Sequence, residues 1–543
     1  MWKALGWGLG IAIVASGAAL AQQNAPAPRL PLVKAMPAVP QQLDYLAKYE
    51  GEASAHIVAE QASTLLVYDA SKLKGGGCQQ TPNLQSDLRG NLAESWRVDT
   101  AGKFVEFKLR PGAKSPYGNE LSADDVKWSL ERAAKLSGAA RFFLYTSSDF
   151  RQENMVEVVD PRTVRVHFNS PTIYDLGVFT HLQFQIVDSK TVLKNATADD
   201  PAGSGWLAKN TADYGPWQIL PTNFVPGVRA TFTPNENYWN KAGRGNASTL
   251  VALSVPEPAT RSQLLRSGEA DFAALLPFQE YANLMNDRNV RVTNCDGNIR
   301  DTILLNYQDE KLANPLVRQA ISLAIDREAI VKGVFRGFGD PATTSIHKAF
   351  GTEGLNHYAK MDVAKAKALL AQAGYPNGFT VKFTVSPSRP GAHAEQEAIF
   401  VADSLKQIGV VFEIEMITSG TAFAERFQKG TYQAMLYTEQ PAFGDPFYSL
   451  TILNHSASFQ NSFKYKNEKY DALVNEGRAL ALGDTRRRRE ILVEISNLMA
   501  ENPAQIYLVD TSIPLAMSPK LEGWEYQALI HANMAAYQLR KTR

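Results

Sequence analysis

The stretch that most constrains this chain is residues 303–342, ILLNYQDEKLANPLVRQAISLAIDREAIVKGVFRGFGDPA. It opens on Ile303, Leu304 and Leu305, a short apolar run that suits a buried strand. After a polar loop, Asn314-Pro315 predicts a helix start, because proline lacks the N–H that would find no partner in a first turn. Leu316, Val317, Ala320, Ile321, Ala324 and Ile325 then recur at helical spacing and make one apolar stripe. Asp326 is placed to cap a second helix carrying Ile330, Val331 and Val334, which Gly337, Gly339 and Pro341 bring to an end. A strand followed by two helices with apolar faces to cover belongs in an α/β domain.

The same stretch resembles the signature region of the extracellular solute-binding proteins of family 5. These are the large binding proteins of peptide-type ABC importers, among them dipeptide-, oligopeptide- and nickel-binding proteins. Other segments extend the resemblance. In residues 88–133, Val105, Phe107 and Leu109 alternate as a strand, Pro111-Gly112 turns, and Ser122 with Asp125 resembles a helix-capping pair ahead of Val126, Ser129, Leu130 and Ala133. DYGPWQI (213–219), NENYWN (235–240) and RSQLLRSGEADFA (261–273) are similar to family landmarks. From 362 to 437, helical stripes alternate with strand-like runs such as Phe379-Val381-Phe383-Val385, which predicts parallel pairing with right-handed crossovers. Near the start the family's Leu-Asp-Pro turn reads Leu43-Asp44-Tyr45 here.

The resemblance covers roughly residues 40–515 and implies a two-lobed α/β periplasmic binding protein, class II-like and of cluster C, with an extra small domain on lobe one. The implied division is lobe one at 41–75, 206–300 and 507–543, the small domain at 76–205, and lobe two at 301–506. Two strand crossings, near 298–301 and 507–511, are expected to form the hinge.

A chain of 543 residues is long enough for two or three domains, and a net charge of +1 gives no electrostatic footprint for nucleic acid. Lys3, the apolar run 4–20 and Ala19-Leu20-Ala21 read as a signal peptide (1–21) cleaved before Gln22. The residue after that site is Gln22, not a cysteine, so the expectation is a soluble periplasmic protein without a lipid anchor, beginning with a proline-rich flexible leader at 22–40. The two cysteines, Cys78 and Cys295, could pair in an oxidising compartment, a matter that only geometry decides.

No catalytic set is evident. Gly-x-Ser-x-Gly and His-Glu-x-x-His are absent, and the Ser-x-x-Lys pattern at Ser71–Lys74 recurs at Ser345–Lys348 without any Lys-Thr-Gly. The histidines are read as scattered, none paired with a cysteine or carboxylate at metal-ligand spacing. The reading is a non-enzyme with no cofactor and no resident metal. The arginines at 486–489 read as a solvated helix face.

The segment that bears on the ligand is LYTEQPAFGDPFYSL (436–450). Peptide-binding relatives have Ala-Asp-Tyr-Pro-Asp-Pro there, and their first aspartate grips the peptide ammonium. Aligned on Asp445-Pro446, Ala442 stands where that aspartate belongs and Phe443 where the tyrosine belongs, and Asp445 reads as a cap of the loop. The resemblance therefore implies ligand contacts at Glu439, Gln440, Ala442 and Phe443, with Glu50 near where relatives place a cleft glutamate. Ordinary di- and tripeptides are expected to bind poorly unless Glu439 takes over, because a buried ammonium without a counter-charge is costly. Alternative solutes are an opine, an oligosaccharide, an aromatic acid or a metal complex. The implied partners are that small molecule or short peptide and the permease subunits of an ABC transporter, with the binding protein a monomer.

Overall fold

The computed structural model describes residues 29–48, 50, 52–69, 87–99, 103–169, 176–351, 354–356, 360–441, 443–480, 484–525 and 535–542. Residues 1–21, read as a signal peptide, most of the leader, Ser71–Lys74, Cys78 and Ala442 lie outside them. Among the described residues no helix is long and apolar enough to cross a membrane.

Two long antiparallel strands, Arg291–Leu305 and Gln505–Met517, form the seam of the molecule. Their register runs from Arg291 opposite Met517 to Leu304 opposite Gln505. At the first end Gln505–Met517 continues into Phe272–Ala273, Leu30–Met36, Ala247–Ser254 and Arg229–Pro234. At the other, Arg291–Leu305 is joined by Ala434–Glu439, then Phe379–Val385 and Val410–Met416. Leu30–Met36 pairs in parallel with Ala247–Ser254, as does Phe379–Val385 with Val410–Met416. The molecule is thus a two-lobed α/β protein whose lobes share the seam strands.

The ladder between the seam strands breaks register between Asp296 and Ile299 and again between Asp301 and Thr302. These breaks fall where the sequence places the first crossing. Extra residues in one strand leave local groups unpaired and bend it. At Gly297 a Cβ would come within 2.7 Å of the Thr511 carbonyl oxygen, so the close approach of the two backbones needs glycine.

Both helices read in 303–342 form, while the loop before them holds a short helix, Glu310–Ala313, and Gly339–Pro341 pairs as a strand with Gln505–Met517. Pro315–Ala324 is helical, with the Asn314 side chain accepting from the Leu316 N–H at 3.0 Å. Asp326 caps Arg327–Gly333 by accepting from the Ala329 N–H at 2.9 Å. Val317, Ala320, Ile321 and Ala324 join Ile303, Leu305, Phe383, Leu405 and Phe412 in one core. Leu316 is only half-buried, whereas Arg318 is fully enclosed. Its guanidinium stacks 4.2 Å from the Tyr307 ring centroid and donates to the Leu312, Ala313 and Pro503 carbonyls, which is what makes a charge tolerable there.

A separate four-stranded antiparallel sheet has the order Ala93–Val98, Phe104–Leu109, Thr163–His167, Val156–Asp160. The helix Ala123–Leu136 covers it with Val126, Ser129, Leu130 and Ala133 buried, the stripe read from the sequence. Asp125 closes the capping box on the Ser122 N–H at 2.8 Å. Arg132 of this helix forms a buried ion pair with Asp44, so the turn Leu43-Asp44-Tyr45 is tied to the small sheet's helix.

Candidate ligand-binding site

The strand Ala434–Glu439 is buried at every position, and its last residue, Glu439, stands opposite Arg300 in the sheet. The chain then leaves the sheet through exposed Gln440 and buried Pro441. Asp445 ends the loop as a helix cap, accepting from the Phe447 N–H at 2.9 Å, and forms an ion pair with Arg488. The 486–489 run is therefore not uniformly solvated. Arg486 is exposed and Arg487 meets Glu476, Glu490 and Glu494, but Arg488 is drawn inside by the Asp445 carboxylate.

Between this loop and the seam lies a cavity of about 10 Å³, lined by Arg300, His347, Glu439, Ser449, Asn454 and Tyr507 among others. Each guanidinium nitrogen of Arg300 donates to a protein oxygen. Its Nε donates to Asp510 Oδ1 at 2.5 Å, and Nη1 and Nη2 donate to the Thr344 and Ile346 carbonyls at 3.1 Å each. Its guanidinium lies 4.6 Å from the Tyr507 ring centroid. Burial opposes charge on both Arg300 and Asp510, but their mutual attraction outweighs it and holds the arginine above and the aspartate below their ordinary ranges. His347 Nε2 lies 3.1 Å from the Ile299 carbonyl, and burial pushes its imidazole down to about 4, so it is neutral at neutral pH.

Glu439 is the group this arrangement leaves over. It is 8% exposed, and its Oε1 has no hydrogen-bond partner. Burial pushes its carboxyl up to about 7, with Arg300 and Ser449 opposing. Because Arg300 and Asp510 neutralise each other, Glu439 is where a cationic or donor group would be accepted.

Phe443 is fully buried. It meets Phe143 edge-on with centroids 5.6 Å apart and Tyr448 at 4.9 Å, while Phe459 meets Phe142 at 4.8 Å. The ring contacts join the small-sheet region to lobe two through one continuous apolar cluster. Glu50 stands apart from the cavity. Its Oε2 accepts from the Gln41 N–H at 2.5 Å and its Oε1 lies 2.8 Å from Lys48 Nζ. Of the sequence candidates the structure thus brings Glu439 to the cavity and Phe443 to the aromatic contact nearby. Gln440 faces solvent, and Ala442 is not among the described residues. Arg300, His347, Asn454 and Tyr507 were missed. The available signal was Asp510, the one charge in the strand Gln505–Met517, and Arg300 near the other expected crossing. Cys295 is buried and disulfide-bonded.

The model of the bacterial extracellular solute-binding proteins, family 5 Middle, matches residues 87–461. The glutathione-binding protein GsiB of Salmonella typhimurium is 27% identical over 446 residues, covering 80% of this chain and 83% of that protein. Among solved structures, the periplasmic binding protein DppA from Helicobacter pylori in complex with peptide STSA superposes with a TM-score of 0.76 at 22% identity, covering 96% of this chain and 100% of that one. AgaA from A. tumefacien R10, in complex with agropinic acid, gives 0.75 at 22% identity over 95% of this chain and 99% of that one. The two structural likenesses speak for the shared two-lobed fold. With the family model matching residues 87–461, well over half of its 543 residues, this chain belongs to the bacterial extracellular solute-binding proteins of family 5.

Proposed function

We propose that this substrate-binding component of an ABC importer captures a small solute bearing an ammonium group, a peptide or peptide-like molecule, and seats that group on Glu439. The observation that carries the reading is the enclosed Oε1 of Glu439, without a hydrogen-bond partner, beside an arginine already neutralised by Asp510. The expectation that peptides bind poorly depended on no other acid replacing the aspartate missing at Ala442, and Glu439 is such an acid. Glutathione and peptides, the molecules in the relatives' names, both carry an ammonium. A second reading, an opine, rests on the likeness to AgaA.

Capture works by closure of the two lobes about the seam strands, whose register breaks supply the local bend. Closure follows binding only where the solute touches both lobes, since a ligand shifts a conformational equilibrium by its differential affinity. The protein turns nothing over, acts as a monomer and is handed to permease subunits at the membrane. A thermal-shift screen tests the ligand class. A matching amine solute at a hundred times its dissociation constant adds about 2.7 kcal/mol of stability. Shifts are expected with glutathione or short peptides, lost on N-acetylation and in Glu439→Gln. Shifts that survive both changes would place the ammonium elsewhere and defeat the proposal, and shifts with opines alone would establish the second reading.

Export and the disulfide are checked together by intact mass. The protein from the periplasm should weigh what residues 22–543 weigh, two hydrogens lighter than after reduction, the difference that a disulfide between Cys78 and Cys295 makes. Retained residues 1–21, an added lipid, or a mass unmoved by reduction would each overturn the corresponding part.

A further inference from the structure

We infer that Asp301, His393 and Glu397 form a binding site for a divalent transition-metal ion, separate from the ligand cavity. Asp301 follows Arg300 on the seam strand Arg291–Leu305. Arg300 lines the cavity, whereas Asp301 reaches the helix Ala394–Lys406, as alternation along a strand allows. His393 immediately precedes that helix and Glu397 lies one turn on, so the two side chains share a face. His393 Nε2 is 2.8 Å from Asp301 Oδ2 and 4.0 Å from Glu397 Oε2, and one donor atom from each residue lies within 4.8 Å of the others.

The site has the character of an unfilled coordination sphere. Glu397 is 0% exposed, and its carboxyl meets that of Asp301 in a side-chain hydrogen bond, with His393 Nε2 4.0 Å away. Asp301 is 1% exposed and accepts from the Thr438 hydroxyl. Among the described residues the basic group paired with these two acids is His393 alone. Phe278 and Phe335 close on the imidazole edge-on, with centroids at 5.3 and 4.9 Å, so the walls are apolar. Two buried carboxyls side by side cannot both be ionised without a cation, and burying either as an anion is costly. A divalent ion answers both costs and takes the imidazole as its third ligand.

The geometry fits. Zinc ligands at about 2.1 Å in a tetrahedron lie about 3.4 Å apart, which side-chain adjustments of about 1 Å reach from the present spacing. The His393 side chain is 18% exposed, leaving a route for the ion and room for a solvent ligand. One imidazole nitrogen with two carboxylate oxygens suits zinc, manganese, cobalt or nickel, not copper(I), which prefers sulfur. Binding would fasten the seam strand beside its Asp301 register break to the helix Ala394–Lys406.

The test is calorimetric titration of the untagged, chelator-stripped full chain with zinc chloride, with manganese and magnesium chlorides for comparison. The expected result is one equivalent of zinc per chain, with affinity weakened at least about tenfold in Glu397→Gln and in His393→Ala. His167→Ala, which alters a histidine paired with Glu157 in the small sheet, should bind as the parent does. X-ray absorption of the zinc-loaded parent should show one imidazole among oxygen donors, a readout that survives if a variant fails to fold. No stoichiometric zinc, equal affinity across the variants, or a sphere lacking an imidazole would each overturn the inference.

Discussion

Arg300→Met is expected to cost about 3–5 kcal/mol of folding free energy at neutral pH, the scale for breaking a buried ion pair by removing one partner. The change strands Asp510, which is 3% exposed, and removes the donors to the Thr344 and Ile346 carbonyls. The cost should have a pH signature. In the parent, Arg300 holds the Asp510 carboxyl below its ordinary range, so the pair's contribution is present above the unfolded-state value and fades as pH falls through the folded one. In the variant the largest opposition to burial is gone and the carboxyl rises, so the deficit should shrink as acid protonates Asp510. Urea unfolding at pH 7 and pH 4.5 measures this. The double variant with Asp510→Leu should recover much of the loss, since replacing both partners with apolar groups is often nearly neutral. A single-variant loss under about 1 kcal/mol would show that the pair does not hold the cavity floor.

Glu439→Gln should move stability and binding in opposite directions. The Glu439 carboxyl stands at about 7 against an ordinary 4.5, because burial favours its neutral form. Its contribution to stability is therefore full below the unfolded value and is lost as pH rises through about 7. At pH 8 the parent holds a buried charge that the variant lacks, and the variant should be more stable by on the order of 3 kcal/mol. Below pH 4 the two should converge. An ammonium ligand reverses the preference by favouring the carboxylate. The parent's affinity for such a ligand should weaken about tenfold between pH 8 and pH 6, as binding has to displace a proton, while the variant binds weakly at both. Calorimetry at the two pH values decides. An affinity indifferent to pH, together with unchanged stability at pH 8, would remove Glu439 from the site.

The local features of this protein were legible because their causes are local. Proline after Asn314, aspartate at 326 and the box of Ser122 with Asp125 act within one helical turn, and each caps the helix that the pattern places there. The stripes at 126–133 and 317–324 bury because the helical period puts them on one face. The family was legible in the same way, from long runs of such features in order.

The charged interior was decided by the tertiary structure. Arg300 and Asp510 are 210 residues apart and meet only because the seam strands are neighbours. Arg488 leaves its solvated row for an aspartate 43 residues away. The sequence does contain His393 and Glu397 four positions apart, a spacing that the reading of scattered histidines passed over. Asp301, 92 residues from His393, could not be added without the fold. Glu439 was visible as an acid near an absent aspartate, but its burial and its unused oxygen were not. Caps and stripes are set by neighbours along the chain. The state of a buried charge is set by which distant strand lies beside it, and that is fixed only when the sheet has formed.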